Sequence, residues 1–157
     1  NLAEQAEKIS ENTYCFEEWF FREIQEGQFG SDQFDAVSRN VFYHSHCHQK
    51  ALSQTEEALL ALSLPDGHTV REIPSGCCGM AGAFGYEQEH YAVSEKIAHL
   101  KLIPFSEEIP EDSYIVSSGF SCKHQINDFG GRLVWHPVEL LLKSIKKDAP
   151  QLRSTSE

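Results

Sequence analysis

Basic residues are scarce in this 157-residue sequence: 13 Lys and Arg stand against 24 Asp and Glu, a formal net charge of −11 at pH 7 with histidine neutral. Such a chain offers no basic surface for phosphates, which argues against a nucleic-acid-binding protein. Long apolar runs are also missing, and none approaches the roughly 20 residues of a membrane-spanning helix. The polar opening run 1–10 lacks the basic flank and apolar region of a signal peptide, so we expect a cytoplasmic protein.

The sequence also lacks the even set of cysteines, spread through loops, that is typical of small secreted proteins. The chain has five cysteines, and two of them, Cys77 and Cys78, are adjacent. In a cytoplasmic protein, clustered thiols indicate metal binding or redox chemistry rather than a disulfide framework. Cys15 is the exception, because it lies in an aromatic stretch where we expect a small buried hydrophobic side chain. The chain does not begin with Met and its one methionine is Met80, so we expect either a piece of a longer protein or a processed form.

Hydrophobic periodicity and turn signals predict a helical lead-in over residues 1–36, followed by four alternations of strand and helix. The predicted strands are 39–44, 68–73, 114–117 and 132–136, and the predicted helices are 13–25, 49–62, 86–99, 122–129 and 137–147. This alternation predicts an α/β fold, a Rossmann-like parallel sheet of about four strands with flanking helices. In such a sheet the loops after the strands meet at one edge, where ligands bind.

Three of these loops carry side chains that bind metals. The candidate ligands are Cys47 with His46 and His48 after the first strand, Cys77 and Cys78 between Gly76 and Gly79 after the second, and Cys122 with His124 after the third. Four thiols suit either tetrahedral zinc or an iron–sulfur cluster. The cysteines are spread over the sheet without Cys-x-x-Cys pairs, which favours a cluster over a small zinc module. Each histidine can instead make only structural hydrogen bonds.

The glycine-rich second loop has its own expected role. Its glycines let the backbone approach a metal centre and donate N–H groups to sulfur. We expect a helix to begin in this loop and to lower the pKa of the thiols. A phosphate-binding loop is the competing interpretation, but the spacing is not Gly-x-Gly-x-x-Gly and no Walker-type lysine follows.

Four segments of the sequence resemble a known family. They are His-Cys-His-Gln-Lys-Ala-Leu (46–52), Gly-Cys-Cys-Gly-Met-Ala-Gly-Ala-Phe-Gly-Tyr-Glu (76–87), Gly-Phe-Ser-Cys-Lys-His-Gln-Ile (119–126) and His-Pro-Val-Glu-Leu-Leu (136–141). Together they resemble the cysteine-rich CCG domain of heterodisulfide reductase and of the glycolate oxidase iron–sulfur subunit. The similarity is greatest to the C-terminal part of FAD-linked oxidases of the D-lactate or D-2-hydroxyglutarate dehydrogenase type.

The resemblance implies a ligand set. The family's cysteine ligands fall on Cys47, Cys77, Cys78 and Cys122, which implies a 4Fe–4S type of iron–sulfur cluster, with zinc as the alternative. The family pattern often ends in Cys-x-x-Cys, giving five thiols, whereas Gly119 and Gln125 stand three residues before and after Cys122 here. His46, His48 and His124 are therefore candidates for a further ligand.

The resemblance also implies a role within a larger enzyme. Residues 37–150 form the CCG domain and 151–157 a tail, and the chain is the C-terminal fragment of a larger protein. The flavin domain of that protein, which holds FAD outside this chain, oxidises a 2-hydroxy acid such as D-lactate, glycolate or D-2-hydroxyglutarate. The iron–sulfur part passes the electrons to an electron acceptor, and the parent enzyme is cytoplasmic or peripheral at the inner face of the membrane. This fragment alone is not expected to turn over substrate. The alternatives are a structural zinc-binding assembly domain and a metal-free thiol–disulfide domain.

Overall fold

The computed structural model describes residues 1–52 and 55–148, and its secondary structure alternates between helices and short strands. The helices are α1 (Leu2–Glu11), α2 (Phe16–Gln25), α3 (Cys47–Leu52), α4 (Thr55–Leu62), α5 (Tyr91–Glu108), α6 (Phe120–Gly130) and α7 (Pro137–Ser144). The strands are β1 (Arg39–Tyr43), β2 (His68–Glu72), β3 (Tyr114–Val116) and β4 (Val134–Trp135). Short 3-10 turns cover Ser31–Gln33 and Phe84–Tyr86.

The four strands form one parallel sheet in the order β2-β1-β3-β4. β1 lies in the middle, with Val41 opposite Val70 of β2 and opposite Tyr114 of β3. The chain steps to one side of β1 to form β2, and then crosses back through α5 to form β3 on the other side. This reversal places a crevice between the carboxyl ends of β1 and β3, which is where parallel α/β sheets bind ligands. The predicted α/β fold with a parallel four-stranded sheet is confirmed.

Alternating side chains of the strands build a core on each face of the sheet. Val41, Tyr43 and Val116 point to one face, where they pack with residues of α2, α4 and α7. Ile115 and Val134 point to the other face, against α5 and α6. A parallel strand covered on both faces has no polar side, which explains why the sequence of β3 is uniformly apolar.

The N-terminal part differs in detail from the prediction. Residues 2–11 form a helix of their own, and the next helix begins only at Phe16, so that Cys15 is its N-cap residue and is exposed. The expectation that Cys15 is buried is therefore wrong. The ring of Phe16 stacks on that of Phe20, with the ring centroids 5.5 Å apart. These aromatic side chains, and not the thiol of Cys15, pack α2 against the core.

Main-chain hydrogen bonds join the lead-in to the end of α7. Phe34 forms an antiparallel bridge with Ile145, and the N–H of Asp35 donates to the carbonyl of Ser144 at 2.8 Å. The boundaries at residues 36 and 150 stay predictions, and the proposed tail 151–157 lies outside the described residues. In the described ranges 1–52 and 55–148, no helix is long and apolar enough to cross a membrane.

Candidate metal centre

The four cysteines that follow strands lie at one edge of the sheet. Cys47 opens α3 after β1, Cys77 and Cys78 follow β2, and Cys122 lies in the first turn of α6 after β3. Because the strands are parallel, all three loops leave the sheet at its carboxyl end. The topology thus brings together four thiols that are up to 75 residues apart in sequence.

Two of the thiols form a buried pair. Cys78 is 4% exposed and Cys122 is 1% exposed, and their sulfur atoms are 3.4 Å apart, which is contact without a covalent bond. The Cys122 thiol donates to Cys78, and this hydrogen bond, with another from His44, lowers the pKa of Cys78. The same hydrogen bond and burial raise the pKa of Cys122. The pair therefore readily gives up one of its two thiol protons. The proton that remains is on Cys122, which donates it in the hydrogen bond to the sulfur of Cys78.

The other two thiols lie nearer to solvent. Cys77 is exposed and Cys47 is half-buried, and the two are close enough to hydrogen-bond to each other. Burial raises the pKa of Cys77, although the N–H of Gly79, which donates to its sulfur at 3.3 Å, acts in the opposite direction. All three neighbouring thiols, Cys47, Cys77 and Cys78, act electrostatically on Cys122, so the four sulfurs form one electrostatic group.

The expected helix start in the glycine-rich loop is wrong. Residues 74–83 contain no α-helix, only the 3-10 turn Phe84–Tyr86 follows, and α5 begins at Tyr91. The helix dipole thus does not activate the adjacent thiols. What lowers the pKa of Cys78 is hydrogen bonding, first from Cys122 and then from His44 and the Met80 N–H.

Two glycines allow the loops to approach each other. Gly79 has φ +96°, and a Cβ there would overlap the Ser94 carbonyl oxygen. A Cβ on Gly119 would overlap the His46 ring and lie 2.9 Å from the sulfur of Cys122. Gly76 has open space around it and no such constraint.

The histidines named as candidate ligands differ in position. His46 lies beside Gly119 and faces the thiol group, and burial lowers its pKa. His48 is exposed, with its ring 5.1 Å from that of His46. His124 is exposed and packs on Phe120 at 4.4 Å, outside the thiol group.

The donor set fits a thiolate-bound metal in its chemistry, since four soft sulfur donors and a backbone N–H donor meet at one edge. As the side chains are placed, however, no group of three or more His, Cys, Asp or Glu within residues 1–52 and 55–148 is arranged around a point to hold a metal ion. The sulfurs are instead arranged as two pairs.

Neither position three residues from Cys122, where the second cysteine of the expected Cys-x-x-Cys would fall, offers a ligand. Gly119 has no side chain, and Gln125 is 3% exposed. The amide of Gln125 donates to the carbonyl oxygen of Ser94 at 3.1 Å and to its hydroxyl at 3.0 Å, so this side chain holds α6 against α5. The site therefore has four thiols and no fifth.

Sequence reasoning missed the surroundings of the thiols. His44 is 1% exposed, and its Nδ1 lies 2.9 Å from the hydroxyl of Ser75. The prediction of neighbouring parallel strands was the signal that could have revealed this contact. Because Tyr43 pairs with Glu72, the loops that follow these two residues meet.

A cavity of about 810 Å³ also lies beside the site and was not predicted. It is bounded by the start of α2, by the loops after β1 and β3 and by His136, and the buried Glu17 and Gln49 are among its lining residues. Nothing in the local sequence marks it, because it forms between distant segments.

The profile of one protein family, described as a cysteine-rich domain and abbreviated CCG, matches residues 41–127. The chain belongs to the CCG family. The matched segment begins in β1 and ends in α6, so it contains all four thiols of the site and excludes Cys15. The resemblance inferred from the four sequence segments is confirmed.

Several bacterial proteins are similar to this chain over most of its length. The chain is 28% identical over 129 residues to a subunit of the anaerobic glycerol-3-phosphate dehydrogenase of Escherichia coli (strain K12), covering 81% of this chain and 31% of that protein. It is 29% identical over 136 residues to "D-2-hydroxyglutarate dehydrogenase" of Pantoea ananatis (strain AJ13355), covering 85% and 13%. It is 28% identical over 158 residues to "Lactate utilization protein A 2" of Bacillus cereus (strain Q1), covering 92% and 60%. The chain thus spans less than two thirds of each relative. No solved structure gives a significant match.

Proposed function

We propose that this CCG domain binds a redox-active metal centre and transfers electrons within a larger oxidoreductase. Cys47, Cys77, Cys78 and Cys122 are the proposed ligands, and an iron–sulfur cluster of the 4Fe–4S type is the proposed group. The observation that carries the proposal is the meeting of these four thiols at the carboxyl edge of a parallel sheet. Such a cluster supplies one-electron transfer when bound.

The protein's own groups account for how the centre would be held. The apolar core fixes Cys78 and Cys122, while Cys77 is exposed to solvent and Cys47 is half-buried. The N–H of Gly79 donates to the sulfur of Cys77, and such bonds stabilise a thiolate and influence the potential of a centre. We propose His46 as the histidine nearest to a ligand role, because its ring lies beside Gly119, where an added Cβ would also come close to the sulfur of Cys122.

The names of the relatives suggest the parent reaction. Two of them are dehydrogenases, of glycerol-3-phosphate and of D-2-hydroxyglutarate, and both compounds carry a secondary hydroxyl group. A third is named for lactate utilization. We propose that electrons from oxidation of such a hydroxyl, in a 2-hydroxy acid, reach this domain from a flavin domain with FAD and leave to an electron acceptor. We further propose a cytoplasmic location.

The test is metal analysis of protein purified without oxygen, comparing the wild type with two cysteine variants. We expect iron, inorganic sulfide and a broad visible absorption in the wild type and in Cys15→Ser, because Cys15 lies outside the CCG match and outside the thiol group. We expect loss of iron and colour in Cys78→Ser. Full iron content in Cys78→Ser would contradict the ligand assignment.

A structural zinc site is the second candidate function. Four thiols, with Gly119 and Gln125 unable to add a fifth, match the four ligands of structural zinc, as they also match a four-thiolate cluster. Stoichiometric zinc in a colourless wild type would support it. A metal-free protein that gains a Cys78–Cys122 disulfide on mild oxidation would instead support thiol–disulfide chemistry.

A further inference from the structure

The cavity of about 810 Å³ beside the thiols has a buried carboxylate in its wall. Glu17 lines this cavity and is only 2% exposed, whereas Thr13 and Tyr14, which line it too, are exposed. The carboxylate therefore lies at the inner end of the cavity, and the exposed residues lie at its mouth. Glu17 is in the first turn of α2, where the positive end of the helix dipole favours a negative charge.

The protein gives this carboxylate little in return for its burial. Within residues 1–52 and 55–148, the one hydrogen bond to its side chain comes from the hydroxyl of Tyr43, which is 3.5 Å from Oε1. That hydroxyl has a single proton, and it donates at 2.6 Å to Oε1 of Gln49. No Lys, Arg or His in the same ranges forms an ion pair with Glu17. Because a buried carboxylate without a cation or a strong donor is costly, the group is suited to a ligand that supplies one.

The other lining residues indicate the kind of ligand. In the part of the chain that the structure describes, neither Lys nor Arg lines the cavity, so an anion such as a hydroxy acid has no ion-pair partner there. The described side chains also include no group of three or more His, Cys, Asp or Glu arranged to hold a metal ion. Tyr14, Phe16 and Phe120 instead give the walls aromatic surface, on which guanidinium and ammonium groups pack well. The net charge of −11 attracts cations in general.

We propose that this cavity binds an organic cation, a guanidinium or alkylammonium group, whose N–H groups donate to the carboxylate of Glu17. The aromatic walls contact the apolar stem that carries the cation. The cation belongs either to a free small molecule or to an Arg or Lys side chain of another protein segment, since both present the same chemistry. The inference goes beyond the proposed function and uses none of the four thiols, so it holds whether or not they bind a metal.

The first test is a titration of the full 157-residue chain with butylguanidinium, followed by ¹H–¹⁵N spectra. We expect Glu17→Gln to weaken binding of butylguanidinium about tenfold or more, because the charge-assisted hydrogen bonds are lost. Butylurea, which has nearly the same shape and no charge, should bind the wild type more weakly by a similar factor. Glu26→Gln is the control, because it removes the same charge from the exposed far end of α2. Absence of binding to the wild type, equal affinity for butylurea, or equal weakening in the two variants would overturn the proposal.

Two measurements on the wild type keep the proposal testable if Glu17→Gln does not fold. In ¹³C-labelled protein, the side-chain carboxyl carbon of Glu17 should shift with butylguanidinium and stay in place with butylurea. A Glu17 signal that does not respond to butylguanidinium would count against the site. The acetylated and amidated peptide Gly-Arg-Gly distinguishes the two sources of the cation. Affinity about tenfold above that of butylguanidinium assigns the site to a protein side chain, and similar or lower affinity assigns it to a free molecule.

Discussion

From the conformation of the glycine-rich loop we predict three different losses of stability for three Gly→Ala variants. Gly79 has φ +96°, and its added Cβ would overlap the carbonyl oxygen of Ser94 and lie 3.1 Å from Cβ of Ile97. Gly82 has φ +69° with nothing within 4 Å, and Gly76 has open space without a positive φ. A left-handed backbone costs alanine about 1–2 kcal/mol, and an overpacked contact costs about 1–3 kcal/mol more. We therefore expect losses in the free energy of unfolding of about 3 kcal/mol for Gly79→Ala, about 1 kcal/mol for Gly82→Ala and under ~0.5 kcal/mol for Gly76→Ala.

Urea denaturation followed by tryptophan fluorescence measures the three losses. With a slope of about 2 kcal/mol per molar urea, Gly79→Ala should lower the midpoint by about 1.5 M and Gly82→Ala by about 0.5 M. The slope itself should not change. If Gly79→Ala proves as stable as Gly82→Ala, the described close approach of this loop to α5 would be refuted. The described burial of Cys78 against the core would then be refuted as well.

Two further predictions concern the core and the pH dependence of stability. Burial lowers the pKa of His68, whose ring contacts the Leu62 carbonyl oxygen at 2.8 Å and the Ser144 hydroxyl at 3.0 Å. Its contribution to stability is therefore present above its unfolded pKa of about 6.5 and is lost as pH falls through the lower folded pKa. The difference in free energy of unfolding between wild type and His68→Asn should shrink from pH 7.5 to pH 5; a constant difference would contradict this. Leu140→Ala should cost about 2–5 kcal/mol, because Leu140 is fully buried, whereas Leu142→Ala, at a residue 67% exposed, should cost under ~0.5 kcal/mol. Chemical denaturation compares the two, and similar losses would refute the assigned orientation of α7.

Local patterns in the sequence predicted the strands well and the helices less well. Short apolar runs and turn signals located all four strands within one or two residues. The helix predicted over 86–99 instead covers Tyr91–Glu108 and contains Pro104. Proline usually ends a helix, but burial of Leu102 and Ile103 on the sheet outweighs the lost hydrogen bond. Tertiary packing of this kind is not visible in a local pattern.

The meeting of the four thiols at one edge of the sheet could be predicted from the sequence, but their arrangement could not, and their role as metal ligands stays a prediction. The rule that parallel strands end at one edge was enough to gather Cys47, Cys77, Cys78 and Cys122. The pairing of Cys78 with Cys122 depends on loop dihedral angles, notably the positive φ of Gly79, which spacing does not determine. The contact of the buried His44 ring with Ser75 likewise depends on how the two loops fold and is not visible in the local sequence.

The division of the thiols into a buried pair, Cys78 and Cys122, and a more accessible pair, Cys47 and Cys77, bears on how a metal would reach the proposed site. Cys78 and Cys122 belong to the apolar cluster that includes Ile126 and Val134, so their positions are set by folding itself. Cys77 is exposed, and rotation about its Cα–Cβ bond moves its sulfur between staggered positions without disturbing the core. In the proposed function, the ordering cost of metal binding would therefore fall on Cys47 and Cys77. A metal would then reach the proposed site from the loop side without unfolding of the sheet.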